Sequence, residues 1–177
     1  MTKWLSHRMV ERGIIKEEEQ ELYQFGIRNG MILLLNVVTA LVIGLLTEQL
    51  AVVAVFTLSF MVLRSYTGGY HSDSRIFCYL GSNLVLLVPV YTQAVFYKTS
   101  LAWLLAVLLV SAGIIFLLSP MHSKNRKLDK EEQKHFGRKA RLIAALELAV
   151  LGILCHAGQI PYAYAVYTGI CITALFM

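Results

Sequence analysis

The sequence predicts an all-α polytopic membrane protein with six transmembrane helices and an amphipathic helical region at the N-terminus. Of its 177 residues, 57% are hydrophobic and 15% are charged, whereas soluble domains average about 25% charged residues. The hydrophobic residues form blocks that approach the roughly 20 residues a helix needs to cross a bilayer. Basic residues concentrate in every second segment between these blocks, a distribution that is typical of proteins with several membrane spans. We therefore expect a single integral membrane domain over residues 1–177.

The first 28 residues differ from the rest because they contain five Lys/Arg and five Glu. They hold no apolar core of signal-peptide length, so we expect no cleavable signal peptide. Their apolar residues recur at loosely helical spacing, which predicts an amphipathic helix over 1–28, broken near Gly13. Two locations remain possible for this helix: it lies on the membrane surface, or it packs against the protein's own loops.

Six apolar blocks follow, and each is predicted to span the bilayer. The second block is short for this purpose, and the others come close to the required length. The blocks cover approximately residues 30–47, 49–63, 77–97, 101–119, 140–156 and 160–177.

The orientation follows from the distribution of positive charge. Of the 16 Lys/Arg residues, 15 lie within 1–28, the 64–76 loop or residues 120–141. These segments alternate with poorly charged ones, so we expect the N-terminus, both long loops and the C-terminus in the cytoplasm. This distribution predicts contact with anionic lipid and gives no reason to expect nucleic acid.

A reactive pair lies in the stretch GGYHSDSRIFC, at residues 68–78. Gly68 and Gly69 permit a turn after the second span, and the following Ser-Asp-Ser run supplies helix N-cap residues. Cys78 then falls in the first turns of the third span, where the positive end of a helix favours a thiolate. His71 is the nearest base. The other two cysteines, Cys155 and Cys171, lie in apolar stretches and are expected to be buried.

The seven-residue spacing restricts how His71 and Cys78 can meet. On one unbroken helix they would be about 10 Å apart along the axis, too far for a hydrogen bond between base and nucleophile. A direct pair therefore requires the helix to begin after His71 and the loop to fold back. An incidental His and Cys in an ordinary loop is the alternative. A metal site with His122 and His135 is a lesser option without paired-ligand spacing, so no metal and no cofactor is expected.

Glu147 is the one acidic residue well inside a predicted span. An intramembrane carboxyl group is either a functional group or a hydrogen-bonding partner between helices. The sequence leaves both open.

The arrangement of Arg64, Gly68, Gly69, His71 and Cys78, R-x-x-x-G-G-x-H-x-x-x-x-x-x-C, resembles the AgrB family. These are the accessory gene regulator B membrane endopeptidases of Gram-positive quorum sensing. The run SPMHSKNRKLDKEE is similar to the family's proline followed by a basic cytoplasmic segment, and the resemblance covers nearly the whole chain. One departure is Ser72, where the family favours a small apolar residue.

The resemblance implies a cysteine endopeptidase that cleaves an AgrD-like precursor peptide through a thioester and promotes its cyclisation to a thiolactone or lactone. It implies Cys78 as nucleophile and His71 as general base and later acid. Arg64, with the glycines, would bind a substrate carboxylate or steady the loop; contact with lipid phosphate is the alternative. The basic segment would attract an acidic part of the precursor or anchor the protein to lipid, and it includes Lys124, Arg126 and Lys127.

The partners implied are the precursor peptide, the lipid bilayer and a second copy, since the family suggests a dimer. A function of another class also fits six spans without a large soluble domain. That alternative is a non-catalytic membrane protein, such as a small transporter or an assembly partner.

Overall fold

The computed structural model describes residues 2–68, 75–121 and 129–177. Within these ranges the regular structure is helical and includes no β-strand, which confirms the predicted all-α class. The chain divides into two units, Met1–Thr39 and Ala40–Met177.

The first unit begins with a short helix, α1 (Thr2–Glu11). The predicted break near Gly13 is confirmed, since this residue has a φ of +66°. A 3-10 turn at Glu17–Glu19 leads into α2 (Gln20–Leu46). Because α2 is continuous, residues 20–28 belong to the same helix as the first predicted span and not to a separate amphipathic helix.

The second unit takes in the end of α2 and six further helices within the described ranges. They are α3 (Leu50–Thr67), α4 (Arg75–Tyr91), α5 (Gln93–Lys98), α6 (Leu101–Leu118), α7 (Lys130–His156) and α8 (Ile160–Leu175).

Three segments of the described chain are long and apolar enough to cross a membrane: Glu17–Leu46, Leu50–Thr67 and Leu101–Leu118. Tyr79–Tyr91 and Ile160–Leu175 are shorter apolar helices. The chain is therefore a helical membrane protein, while the count of six spans stays a prediction.

Two predicted boundaries differ from the structure. The second predicted span, 49–63, is longer than expected, because α3 continues to Thr67 and reaches 18 residues. The third, 77–97, is not one helix, because α4 ends at Tyr91 and α5 starts at Gln93. Pro89 lies just before this break, and a proline removes a backbone donor from a helix.

The core of the second unit is built around α3 and α8. Phe56 and Leu63 of α3 are fully buried, as are Ala165 and Thr173 of α8. Gly169 allows α8 to lie directly against α3, where a Cβ atom would be only 2.5 Å from the Ser59 hydroxyl. The large apolar side chains left exposed on the outer helices are suited to contact with lipid. On α6 they include Leu101, Trp103, Leu109, Val110 and Leu117.

Candidate functional site

The end of α3 is fixed by a close contact with the segment that follows α6. Gly68, which caps α3, has a φ of +70°, a conformation that favours glycine. A Cβ atom at this position would lie 2.5 Å from the Met121 carbonyl oxygen. The Met121 amide donates a 2.8 Å hydrogen bond to the Thr67 carbonyl. Glycine at position 68 therefore allows the two backbones to pair.

Arg64 ties the end of α3 to the end of α8. Its Nη1 donates to the Gly68 carbonyl at 2.6 Å and to the Phe176 carbonyl at 2.9 Å. Carbonyl groups at a helix C-terminus lack partners within the helix and carry partial negative charge, so a guanidinium group satisfies both needs. These contacts suit a residue that positions the backbone, one of the two roles the family resemblance implies for Arg64.

The first turns of α7 pack at the same place. Gly137 is buried, and a Cβ atom there would lie 3.1 Å from Pro120 Cδ and 3.2 Å from the Ser119 carbonyl oxygen. The Tyr66 ring lies 6.2 Å from the Phe136 ring, between centroids. Four parts of the chain therefore meet here: the ends of α3 and α8, the segment after α6, and the start of α7.

The first turns of α7 also carry exposed basic side chains. Lys139 places its Nζ 5.7 Å from the centre of the Tyr66 ring, and Arg141 donates from Nε to the Phe116 carbonyl at 2.9 Å. Lys134 and Arg138 are likewise exposed on this part of α7. These residues are the described portion of the predicted basic segment.

The predicted site residues are only partly within the described chain. Arg64 and Gly68 are brought together by a hydrogen bond. Cys78 is described by its backbone alone: it lies in α4, whose described residues start at Arg75. The other predicted residues lie outside the described ranges. They are Gly69, His71, Lys124, Arg126 and Lys127.

The two segments that hold those residues adjoin the contact between α3 and the segment after α6. Gly68 directly precedes the stretch with His71, and Met121 directly precedes the stretch with Lys124. The distance between the His71 and Cys78 side chains stays a prediction.

Some residues of this region were missed from the sequence. Met121 and Phe176 act through backbone groups, and their side chains give no signal in the sequence. Gly137 had a usable signal, because an isolated glycine inside a helix costs about 1 kcal/mol and often marks close packing.

Two other intramembrane predictions have an outcome. Glu147 bonds across helices, since its Oε2 lies 2.8 Å from the Ser59 hydroxyl. The expectation that both other cysteines are buried is wrong for Cys155, which is exposed, whereas Cys171 is partly buried. Cys155 lies in the last turn of α7, where an apolar residue faces outward without cost in lipid.

Within the described ranges, no three His, Cys, Asp or Glu residues form a metal-binding group.

Fold and site together define a small helical membrane protein in which Arg64 and Gly68, two of the candidate functional residues, lie at one end of a packed helix pair. Residues 1–177 match the family described as Accessory gene regulator B, and the chain belongs to that family. This confirms the resemblance seen in the sequence.

Relatives of known name agree with the family match. A protein of Clostridium perfringens named as AgrB-like is 23% identical over 148 residues, covering 80% of this chain and 69% of the relative. A second AgrB-like protein, from another strain, is 24% identical over 131 residues and is matched over 61% of its length. The accessory gene regulator protein B of Staphylococcus intermedius is 26% identical over 132 residues, 72% of this chain and 70% of the relative. No solved structure matches the chain.

Family and relatives together support a role in the accessory gene regulator system, that is, in the processing of a quorum-sensing peptide.

Proposed function

We propose that this protein is a membrane cysteine endopeptidase that cleaves an AgrD-like precursor peptide and promotes its cyclisation. The observation that carries the proposal is the Gly-Gly-x-His…Cys pattern in a chain of the AgrB family. The pattern starts at Gly68, which Arg64 and Met121 hold in place, and ends at Cys78 in α4. A nucleophile and its base must be held in place to meet each other and the substrate, and a fixed loop entry at Gly68 serves that need.

The proposed reaction has two acyl transfers. His71 accepts the proton of the Cys78 thiol, and the thiolate attacks the carbonyl carbon of the precursor's scissile peptide bond. The C–N bond breaks, the released C-terminal part takes the proton from His71 as its amine forms, and the rest of the precursor remains as a thioester on Cys78. A Cys or Ser side chain of the bound peptide then gives its proton to His71 and attacks the thioester. The ring closes and Cys78 is released.

Exclusion of water would favour ring closure over hydrolysis. Transfer of the acyl group to a peptide thiol is nearly balanced in free energy, whereas hydrolysis of a thioester is strongly downhill. A site at the membrane boundary limits the access of water to the acyl-enzyme. Arg64 contributes by holding the Gly68 carbonyl, and so the entry to the loop with His71.

The proposed site faces the cytoplasm, because the basic segments of the chain alternate with poorly charged ones. The exposed Lys134 and Arg138 of α7 would continue the basic surface of Lys124, Arg126 and Lys127. This surface would attract an acidic part of the precursor and, beside it, anionic lipid headgroups. A homodimer belongs to the proposal by family resemblance.

The test is cleavage of a co-expressed AgrD-like precursor in membranes by Cys78→Ala and, separately, His71→Ala variants. Both should lose cleavage to the background level, because removal of either member of a nucleophile–base pair removes the acyl transfer. Cys155→Ala and Cys171→Ala are the matched controls and should cleave at the wild-type rate. Cleavage at the wild-type rate by either Cys78→Ala or His71→Ala would rule out the pair.

The alternative of a non-catalytic transporter or assembly partner predicts no selective reactivity at Cys78. Alkylation of the Cys155→Ala/Cys171→Ala variant in inverted vesicles by a membrane-impermeant thiol reagent, at neutral pH, separates the two functions. The peptidase requires Cys78 to react at least about tenfold faster in the native protein than in the denatured protein. Equal rates would favour the non-catalytic function.

A further inference from the structure

Ser59 differs from other hydroxyl residues of α3 in its hydrogen bond. Thr57 and Ser65 donate to carbonyls four residues earlier in their own helix, at 2.6 Å and 2.7 Å. This local bond is the usual one for a hydroxyl group inside a helix. Ser59 instead donates to Oε2 of Glu147, 88 residues away on α7, at 2.8 Å.

The packing of α8 directs the Ser59 hydroxyl toward α7. Gly169 of α8 lies so close that a Cβ atom there would be 2.5 Å from Ser59 Oγ and 3.1 Å from its Cβ. Ser59 is 8% exposed, so its hydroxyl is held between the α8 backbone and the Glu147 carboxyl group. Three helices therefore meet at this hydrogen bond, near the middle of each.

Among the described residues, the stretches of α3, α6 and α8 that run beside Glu147 carry no opposite charge, and Arg64, near the end of α3, donates to the Gly68 and Phe176 carbonyls. Residues 50–63 of α3, all of α6 and all of α8 contain no Asp, Glu, Lys, Arg or His. The nearest charged residue on α7 is Arg141, about 9 Å away along the axis, and its Nε is bonded to the Phe116 carbonyl. Ser59 is thus the partner that the described chain provides for this carboxyl group.

The bond joins the two helices that lead to the candidate site. Ser59 precedes Arg64 by five residues, or about 7.5 Å of helix. On α7, Gly137 packs against Pro120, which adjoins the Met121 that pairs with Thr67. A slide of α3 along α7 would therefore break the Ser59–Glu147 bond and disturb the contact of Gly68 with Met121.

We propose that Glu147 and Ser59 are positioning residues: their hydrogen bond sets the register of α3 against α7 and so places the entry to the catalytic loop. The effect on catalysis rests on the proposed peptidase function, whereas the effect on register does not. The bond acts through its geometry and not through a charge. A neutral side chain at position 147 that still accepts a hydrogen bond from the Ser59 hydroxyl should therefore perform the same function as Glu147.

The first experiment measures precursor cleavage by Glu147→Gln, Glu147→Leu, Ser59→Ala and the Ser59→Ala/Glu147→Leu double variant. Glu147→Gln should keep kcat within about twofold of wild type. Glu147→Leu should lower kcat about tenfold with KM little changed, because the reacting groups are misplaced while the peptide-binding surface is kept. The double variant should be no slower than Glu147→Leu, since both changes remove the same bond.

The second experiment measures register without catalysis. Cysteines replace Tyr66 and Phe136, whose rings are 6.2 Å apart, in a background with Cys78, Cys155 and Cys171 changed to Ala. Glu147→Leu should slow their cross-linking by a short bis-maleimide about threefold, as expected for loss of an average interhelical bond in a membrane. Glu147→Gln should not.

A control pair tests whether any loss is specific to α7. Cysteines at Thr92 and Tyr164, whose hydroxyl groups lie 2.6 Å apart, join the end of α4 to α8. Their cross-linking should be unchanged by Glu147→Leu; equal slowing of both pairs would mean general unfolding and would overturn the proposal.

The remaining outcomes are also decisive. Normal Tyr66–Phe136 cross-linking in Glu147→Leu would overturn the register function, whatever happens to cleavage. Loss of cleavage in Glu147→Gln with normal cross-linking would show that the carboxyl group itself is needed, against the proposal. If wild type cleaves no precursor but the cross-linking changes as expected, the peptidase function fails and the register function stands.

Discussion

The two ends of α3 are built in different ways. At its start, the α2–α3 turn is closed by local bonds, from the Gln49 amide to the Gly44 carbonyl and from the Glu48 amide to the Leu45 carbonyl. The α7–α8 turn repeats this pattern with Gly158 and Gln159. Both turns line one cavity of about 290 Å³. Each is the short left-handed turn that commonly ends a helix.

At its other end, α3 is held by residues distant in sequence. Arg64 reaches Phe176, 112 residues away, and the Thr67 carbonyl pairs with Met121. The turn at the start needs only its own residues, whereas the candidate site needs four separate segments in place together. We therefore expect a change at the site end to affect function, and an equivalent change at the turn end to affect stability alone.

The largest effect is expected from Gly68→Ala. Gly68 and Gly158 have the same φ of +70°, but a Cβ atom would contact the Met121 carbonyl at Gly68 and nothing within 4 Å at Gly158. Gly68→Ala should lower precursor cleavage about a hundredfold, because the loop entry must shift. Gly158→Ala should cost only the left-handed backbone, about 1–2 kcal/mol of unfolding free energy, and leave cleavage intact.

Precursor cleavage measured at equal protein levels distinguishes the two glycines. Equal losses of activity would mean that the contact of Gly68 with Met121 has no special role.

The second effect is expected from Arg64→Leu. It leaves the Gly68 and Phe176 carbonyls without this donor, and kcat should fall about tenfold or more. Arg64→Lys should recover part of the rate, because an ammonium group can also donate to two carbonyls. If Arg64→Lys raised KM and left kcat unchanged, Arg64 would instead bind the substrate.

A smaller effect is expected from Gly137→Ala. Its Cβ would press on Pro120 at 3.1 Å and should reduce cleavage about threefold through a small shift of α7. Gly152→Ala on the same helix is the control, since nothing lies within 4 Å of that position. It should be neutral or slightly stabilising, because alanine favours a helix. A lower cleavage rate in Gly152→Ala would point to a general effect on α7.

The smallest effect on function is expected from Glu48→Gly, and this substitution should raise the stability of the protein instead of lowering it. Glu48 has a φ of +56°, where glycine has no steric penalty. The substitution should raise the unfolding free energy by about 1 kcal/mol and leave cleavage unchanged. Thermal stability of the purified protein in detergent gives the measurement. A decrease would show that the Glu48 side chain stabilises the turn more than its backbone strains it.

Local chemistry made much of the molecule predictable. Hydropathy and the helical period identified an all-α membrane protein, and Gly13 marked the break after α1. The run from Ser72 to Ser74 predicted a helix start; it lies outside the described residues, and α4 is described from Arg75 onward. The division of the third predicted span near Pro89 was missed, because a proline inside an apolar block leaves the hydropathy unchanged.

The contacts that hold the candidate site could not be predicted in the same way. Thr67, Met121 and Phe176 take part through backbone atoms, which every residue has. Glu147 was recognised as a lone intramembrane acid, yet Ser59 is one of several hydroxyl groups and only the approach of α8 at Gly169 selects it.

The sequence by itself determined the class of protein and its family and supplied the residues of the proposed reactive pair, because hydropathy, turn chemistry and motif spacing are properties of neighbouring residues. The tertiary structure alone decided that Arg64 reaches the end of α8, that Gly68 must lack a side chain because of Met121, and that Ser59 bonds to Glu147. These contacts depend on which helix surfaces meet, and residues 53 to 112 positions apart meet only once the helices have packed.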